Sequence, residues 1–326
     1  MSNLAFRANI QRLGGPEVIE WVEEPIPVPA EGEVTVRHET IGVNYTDIYH
    51  RTGEYPVPVP TGLGVEAAGV IEAVGPGVTS FNVGDRVVYG GRPLGSYSTA
   101  RTMPIERMVG IPDDISSEKA ASLLFKGLAV EYLIRQCYPV KPDEIVLFHA
   151  AAGGIGQIAT QWLSHLGAKV IGTVSSKEKA DIALSNGCIH AINYKTESFP
   201  ERVKEITGGR GVDVVYDAIG KDAVEQSFQC LRPRGMLVNY GNTSGAPAPL
   251  DFKILQRNSL YVTRPSIANY ASTRAQIEKA SVVVFDMIRK GVIRSDKPLR
   301  YPLKDAAKAH SDLEGRKTTG SVILVP

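Results

Sequence analysis

A chain of 326 residues with 43% hydrophobic content is long enough to bury two cores, and its formal net charge of +1 provides neither a basic arm for nucleic acid nor a polybasic patch for a membrane surface. The opening MSNLAFRANIQR lacks the apolar centre of a signal peptide, and no apolar run reaches bilayer-spanning length, so a cytoplasmic protein with a small-molecule partner is expected. Cys137, Cys188 and Cys230 stand far apart without a C-x-x-C pair and read as buried, inert thiols.

Up to about residue 120 the chain carries short β-rich runs at 34–38, 67–74, 86–89 and 96–100, punctuated by Gly-Pro, Pro-Val-Pro and Val-Gly-Asp turns, with little helical period. This predicts a β domain. From 126 to 265 the pattern alternates: strands at 144–150, 168–174, 190–194, 212–219, 236–240 and 260–263, with helical patterns at 177–185, 200–207, 222–231 and 252–257. Strands joined by helical crossovers make a doubly wound parallel sheet. The tail is mixed, with helices at about 272–290 and 303–313 and a strand at 321–325. Too short for a core of its own, it is expected to dock back on the β domain. The expected architecture is α/β, with a β-rich domain of residues 1–125 and 266–326 and a nucleotide-binding domain of residues 126–265.

The stretch EIVLFHAAAGGIGQIATQWLSHLGAKVIGTV (144–174) points to a cofactor class. Its apolar start, from Ile145 to Phe148, suits a parallel strand covered on both faces. Gly153, Gly154 and Gly156 then allow a tight turn and close backbone approach, and the amphipathic segment beginning at Ile155 offers N-terminal N–H groups and a dipole to a pyrophosphate. Ala151 stands where the first glycine of the usual pattern falls. NAD-binding versions carry an acid about 20 residues further on, which bonds the ribose 2′-OH. Here Thr173-Val174-Ser175-Ser176 holds none, and Ser175, Ser176, Lys177 and Lys179 can donate to a 2′-phosphate, so NADPH is favoured over NADH. The plainer reading of the same residues is a helix start at Ser176 with solvated lysines.

Ten motifs follow one another in the chain: GVNYTDIYHRTGEYP (42–56), GLGVEAAGVIEAVGPGV (62–78), FNVGDRVVY (81–89), LFKGLAVEYL (124–133), FHAAAGGIG (148–156), INYKTE (192–197), GVDVVYDAIG (211–220), YGNTSG (240–245), VTRPS (262–266) and YPLKDAAKAH (301–310). By these the sequence resembles, nearly end to end, the zinc-free, zeta-crystallin-like quinone oxidoreductases of the medium-chain dehydrogenase/reductase superfamily. The resemblance implies a GroES-like β-rich catalytic domain beside a Rossmann nucleotide-binding domain. Zinc-dependent members hold their catalytic metal with a cysteine and a histidine in the segments matching GVNYTD and GVE. Those places are Asn44 and Val65 here, a poor ligand and none, and no cysteine precedes Cys137 to build a structural zinc lobe. No metal is expected. His38, His50, His149, His165, His190 and His310 are scattered and read as surface or packed residues.

Without a Lewis acid the acceptor must take hydride more readily than a simple ketone, as quinones do because reduction restores aromaticity. The resemblance implies NADPH-dependent reduction of a quinone or another flat, electron-poor molecule, directly from the nicotinamide and without flavin, the protein's task being positioning. It also implies a homodimer in which the last strands of the nucleotide domains pair. Carried over by position, Asn44 and Lys126 stand beside the nicotinamide end, and Asp47 orients that loop. Tyr49 and Tyr55 are candidates to stack on or donate to the quinone, or equally to pack. Gly153, Gly154 and Ile155 serve the pyrophosphate, Ser175, Lys179 and Tyr194 the 2′-phosphate and adenosine. Gly241, Asn242 and Ser244 follow the fifth strand of the nucleotide domain, at the ligand-binding end of such sheets. Arg264 and Arg316 match positions at the cofactor site and could alternatively be surface ion pairs. Ala129 replaces a threonine frequent in relatives. Two rivals remain: an NADPH-dependent alkenal or enone reductase, and a non-enzymatic RNA-binding or structural role, for which the near-neutral charge gives no support.

Overall fold

The computed structural model describes residues 3–294 and 297–326. The chain divides into two compact units, one of Met1–Lys126, Ala271–Phe285 and Ser295–Pro326, the other of Gly127–Tyr270 and Asp286–Arg294.

The first unit opens with β1 (Leu4–Asn9) and β2 (Glu20–Pro25), paired antiparallel. Then come β3 (Glu33–Val43), the helix α1 (Tyr45–Thr52), β4 (Glu66–Val74), β5 (Arg86–Gly90), β6 (Ala100–Pro104), β7 (Met108–Gly110) and α2 (Ser117–Tyr132). The strand expected at 96–100 is displaced to Ala100–Pro104. Tyr97 O accepts from Ala8 N–H and Thr99 N–H donates to Phe6 O, so the chain here is stitched to β1 before a ladder begins. Helix α1 departs from the expectation of little helical period. YTDIYHRT is rich in aromatic and β-branched residues with poor helix propensity, and its ends hold it instead. The Asp47 carboxylate accepts the Asn44 N–H at 2.9 Å, and Gly53 stops the helix with a left-handed φ of 87°.

The second unit alternates β8 (Ile145–Phe148), α3 (Gly154–His165), β9 (Lys169–Val174), α4 (Lys177–Ser185), β10 (Cys188–Asn193), α5 (Phe199–Ile206), β11 (Val212–Asp217), α6 (Val224–Gln229), β12 (Leu231–Asn239), α7 (Lys253–Gln256), β13 (Tyr261–Thr263) and α8 (Ile267–Tyr270). The strands are all parallel, in the order β10-β9-β8-β11-β12-β13, so the sheet is doubly wound and its order reverses between β8 and β11. Leu147, Ile171, Val215, Phe228 and Leu237 form its core, each large side chain contributing about 1.5–3 kcal/mol of burial. Departures from expectation fall at element ends. Strand β8 stops at Phe148, since Ala150 turns the chain with a φ of 54°. Strand β11 stops at Asp217, whose carboxylate folds back to take the N–H groups of Ile219 and Gly220 at 2.7 and 3.3 Å. The helix expected at 222–231 is shortened because Leu231 already pairs with Val212.

Next follow α9 (Arg274–Arg289), β14 (Leu299–Pro302), α10 (Ala306–Glu314) and β15 (Val322–Val325). Strand β15 pairs antiparallel with β3, and β14 runs parallel to β15, so the tail extends the β sheet to β14-β15-β3-β4-β5-β7 with β6 also on β3. Val34, Val36, Ile41, Ile71, Tyr89 and Met103 centre the core of this unit. Residues Asp286–Arg294 go with the second unit, where the Gln161 amide bonds both N–H and C=O of Arg294 at 2.6 and 3.1 Å. Among the described residues no helix is long and apolar enough to cross a membrane.

Candidate active site

Asn44 follows β3 directly and starts α1, Glu66 opens β4, and Lys126 lies on α2. The pairing of Gly42 with Glu66 across β3 and β4 brings them together. Asn44 Nδ2 donates to Glu66 Oε2 at 2.8 Å, Phe125 N–H donates to Oε1 at 2.9 Å, and Lys126 Nζ stands 3.6 Å from Oε2. Gly42 makes room for the carboxylate, because a Cβ there would lie 2.2 Å from Glu66 Oε2 and 2.6 Å from Ala121 O. Burial pushes the Glu66 carboxyl up, against the downward pull of the Lys126 charge and the Asn44 bond. Lys126 is itself buried, and its Nζ makes no hydrogen bond. Glu66 is not among the sequence-based candidates. The available signal was a lone acid in the small, apolar run GVEAAGV, where a strand interior offers no reason for a charge.

A second network meets this cluster at Asn44. Asp47 Oδ2 accepts from Asn44 N–H at 2.9 Å and from Tyr97 Oη at 3.0 Å. Tyr97 Oη is 2.8 Å from His310 Nε2, and Arg51 Nη1 is 3.1 Å from His310 Nδ1. A guanidinium only donates, so Nδ1 accepts, the ring proton sits on Nε2, and the chain of donation runs Arg51, His310, Tyr97, Asp47. Arg51 also donates to Glu314 Oε1 at 2.8 Å and Gly14 O at 3.0 Å. Burial raises the Asp47 carboxyl to about 7 and holds His310 down at about 3. Asp47 thus holds the backbone at the start of the Asn44 loop. Tyr97, His310 and Arg51 carry no local signature; only the fold assembles them.

Tyr49 and Tyr55 meet in a tilted pair, 4.9 Å between ring centroids and 54° between ring planes, with Tyr45 at 5.2 Å from Tyr49 and His50 at 5.8 Å from Tyr55. Tyr49 is buried in this aromatic group and Tyr55 is half-buried, so packing is the part of their expected role that the geometry displays.

In the second unit Gly153 precedes α3 in extended conformation and no side chain caps the helix, leaving first-turn N–H groups of Gly154 and Ile155 open to an anion. Gly156 admits the close approach of helix to strand, since a Cβ would lie 2.2 Å from Ala150 O. Ser175 follows β9, Tyr194 follows β10 with its N–H on Val174 O at 3.1 Å, and Lys179 is in the first turn of α4, so the fold gathers these three at the carboxyl ends of neighbouring strands. Ser176 caps α4 by accepting from Lys179 N–H at 3.3 Å, and Lys177 pairs with Asp181 at 3.0 Å. Those two carry the plainer, structural reading.

Gly241, Asn242 and Ser244 come after β12. Arg264 donates to the Oδ1 atoms of Asn239 and of Asn242, the latter at 3.0 Å, and Asn239 Nδ2 reaches Asp217 Oδ2 at 3.1 Å and Gly241 O at 2.9 Å. Arg264 is therefore a brace between strand ends and makes no ion pair among the described residues. Ser244 Oγ donates to Ile219 O at 2.8 Å and accepts Asp222 N–H at 3.0 Å, which commits its hydroxyl to loop closure. Arg316 follows α10 with a φ of 58° and belongs to the first unit. The three cysteines are free, and burial pushes the Cys188 and Cys230 thiols up to about 12. His38 bonds Ser98 O and Tyr89, and His149 bonds Thr173 and Ser227, so both are packed residues. Among the described residues no group of three or more His, Cys, Asp or Glu could hold a metal ion.

Residues 30–134 match the alcohol dehydrogenase GroES-like domain and residues 154–283 the zinc-binding dehydrogenase family. A quinone oxidoreductase of Salmonella typhimurium is 50% identical, covering 99% of this chain and 100% of its own. The 2-haloacrylate reductase of a Burkholderia species is 46% identical, covering 99% of both. The crystal structure of Escherichia coli quinone oxidoreductase complexed with NADPH matches with a TM-score of 0.96 at 49% identity, over 98% of this chain and 100% of that one. The chain belongs to the zinc-binding dehydrogenase family with a GroES-like domain, the medium-chain dehydrogenase/reductases. Within that family it is similar along its whole length to the quinone oxidoreductases.

Proposed function

We propose that the protein is an NADPH-dependent quinone reductase in which no metal or flavin intervenes between nicotinamide and acceptor. The observation that carries this is the uncapped start of α3 on a sheet whose neighbouring strand β9 ends in Ser175 rather than an acid, in a chain 49% identical to an oxidoreductase complexed with NADPH. NADPH supplies hydride when bound. The residues of the chain bind and orient: Gly153, Gly154 and Ile155 toward the pyrophosphate, and Ser175, Lys179 and Tyr194 toward the 2′-phosphate and adenosine. Gly241, Asn242 and Ser244, braced by Arg264, shape the carboxyl end of the sheet, and Arg316 adds a charge for the cofactor. Asn44 and Lys126 serve the nicotinamide end, Asp47 holds Asn44, and Tyr49 and Tyr55 present an aromatic wall to a flat acceptor.

A second reading, reduction of an electron-poor alkene, is favoured by the 46% identity to a 2-haloacrylate reductase. Steady-state turnover with a panel of quinones, enones and haloacrylates, each with NADPH and NADH, separates the two. Faster turnover of quinones with NADPH is expected, and a panel in which only alkenes react would overturn the quinone reading.

We further infer a homodimer in a reducing, cytoplasmic setting. The edge strand β13 presents Tyr261 and Val262, 56% and 39% exposed, with one side of its ladder unpaired among the described residues, and a second copy of the same strand would cover it. Light scattering should give twice the 35.2 kDa chain mass.

A further inference from the structure

Lys126 is 6% exposed, yet among the described residues its Nζ finds no hydrogen-bond partner: Glu66 Oε2, the anion it pairs with, lies at 3.6 Å, beyond bonding distance, and the Asp47 carboxyl acts on its charge without bonding it. A buried ammonium with unmade donors is among the most costly arrangements a core can hold, and native structures seldom keep one without a use. Glu66 explains why the pair stays loose. Phe125 N–H bonds Oε1 at 2.9 Å and Asn44 Nδ2 bonds Oε2 at 2.8 Å, and these two donors hold the carboxylate at ion-pair rather than bonding distance, so it offsets the charge of the lysine without occupying its N–H groups. Glu66 is in turn locked in place by the register of β3 with β4 and by the space Gly42 leaves.

We propose that Lys126 is the proton donor that completes acceptor reduction, and that Glu66 is the positioning residue that keeps it charged and its donors open. This rests on the quinone-reductase reading. Hydride from NADPH adds to the quinone and leaves an anion on oxygen. One N–H bond of Lys126 breaks as an O–H bond forms on that oxygen, the electron pair of the broken bond staying on nitrogen. The neutral amine regains its proton from water after the hydroquinone leaves, so the sum is quinone, NADPH and one proton going to hydroquinone and NADP⁺. A positioned general acid is worth about a hundredfold or more in turnover.

The test uses the full-length enzyme. Lys126→Met should lower kcat, read at saturating NADPH, about a hundredfold, with binding of NADPH without acceptor still seen by fluorescence titration. Lys126→Arg, whose guanidinium keeps the charge but holds its protons, should stay slow. In Glu66→Gln the fall of kcat at high pH should move to lower pH, because the amine loses its counter-ion. The titration of the Lys126 amine itself, followed by competitive acylation of the cofactor-free protein, should move the same way. A solvent isotope effect on kcat should be present in the wild type. Unimpaired kcat in Lys126→Met, full rescue by arginine, or a pH profile and amine titration unmoved by Glu66→Gln would each overturn the proposal. A wild type that reduced no quinone would instead remove the reading beneath it.

Discussion

Tyr97 Oη stands 2.8 Å from His310 Nε2, and by that one contact a histidine of α10 reaches Asp47, the acid that holds the start of α1. Replacing Tyr97 by phenylalanine keeps the ring and removes the hydroxyl. His310 then lacks an acceptor and Asp47 loses a donor, both fully buried. Tyr97→Phe should cost about 1–3 kcal/mol of stability, measured by urea unfolding, and an unchanged midpoint at unchanged slope would show that the network adds nothing.

Buried histidines make the protein sensitive to acid. Burial holds His38 and His310 at about 3 and His50 at about 4, against an ordinary 6.5. Between pH 6.5 and about 4 the unfolded chain therefore binds protons that the folded chain refuses, and stability falls as pH drops through that window. Asp47 acts in the opposite sense: its carboxyl is raised from 3.8 to about 7, so its contribution is full below pH 3.8 and lost as pH rises through about 7. Burial lowers His149 as well and raises Glu66 as it does Asp47, so with four histidines against two carboxyls the melting temperature should fall steadily from about pH 6.5 to about pH 4.5. A flat profile there would mean that the rings take protons without unfolding.

On the proposed reading, Lys179 sets the choice of cofactor. A charge-assisted contact to the 2′-phosphate is worth about 1.5–3 kcal/mol and is absent for NADH. Lys179→Ala should raise the KM for NADPH about tenfold or more, leave NADH kinetics nearly unchanged and spare kcat, because the contact is equal in ground and transition states. Equal losses with both cofactors would show instead that Lys179 supports the fold.

Activity should survive exhaustive chelation. Asn44 has its amide committed to Glu66 and Val65 has no donor atom, so the two places where zinc-dependent relatives hold metal are closed to it. Turnover lost to a chelator and restored by zinc would refute this.

The α/β unit was legible in the sequence because its physics is local. Apolar runs such as IVLF and VDVVY, each ended by a turn former, announce buried parallel strands, and Gly153-Gly154 announces the helix start. In the β unit the signals are weaker, since strand order there comes from pairing across long separations, and α1 owes its existence to Asp47 and Gly53 at its ends rather than to its composition. The site divides the same way. Asn44 and Lys126 were visible through their motifs, while Glu66 acquires meaning only when the register of β3 with β4 sets it beside both. Ser244 and Arg264 could be singled out by motif, but their loop-closing and bracing contacts depend on Ile219 and Asn239, which no spacing rule connects to them.

The pairing of β15 with β3 has a consequence for how the chain is born. A ribosome delivers β3 early and β15 only after the contiguous stretch from Gly127 to Tyr270 has emerged, so the parallel sheet can close while one edge of β3 still waits. That waiting edge comprises Ile41, Gly42 and Val43, immediately before Asn44. Synthesis order thus lets the parallel sheet form before the loop at Asn44 is anchored, with an open strand edge in between that a chaperone or a neighbouring nascent chain could occupy.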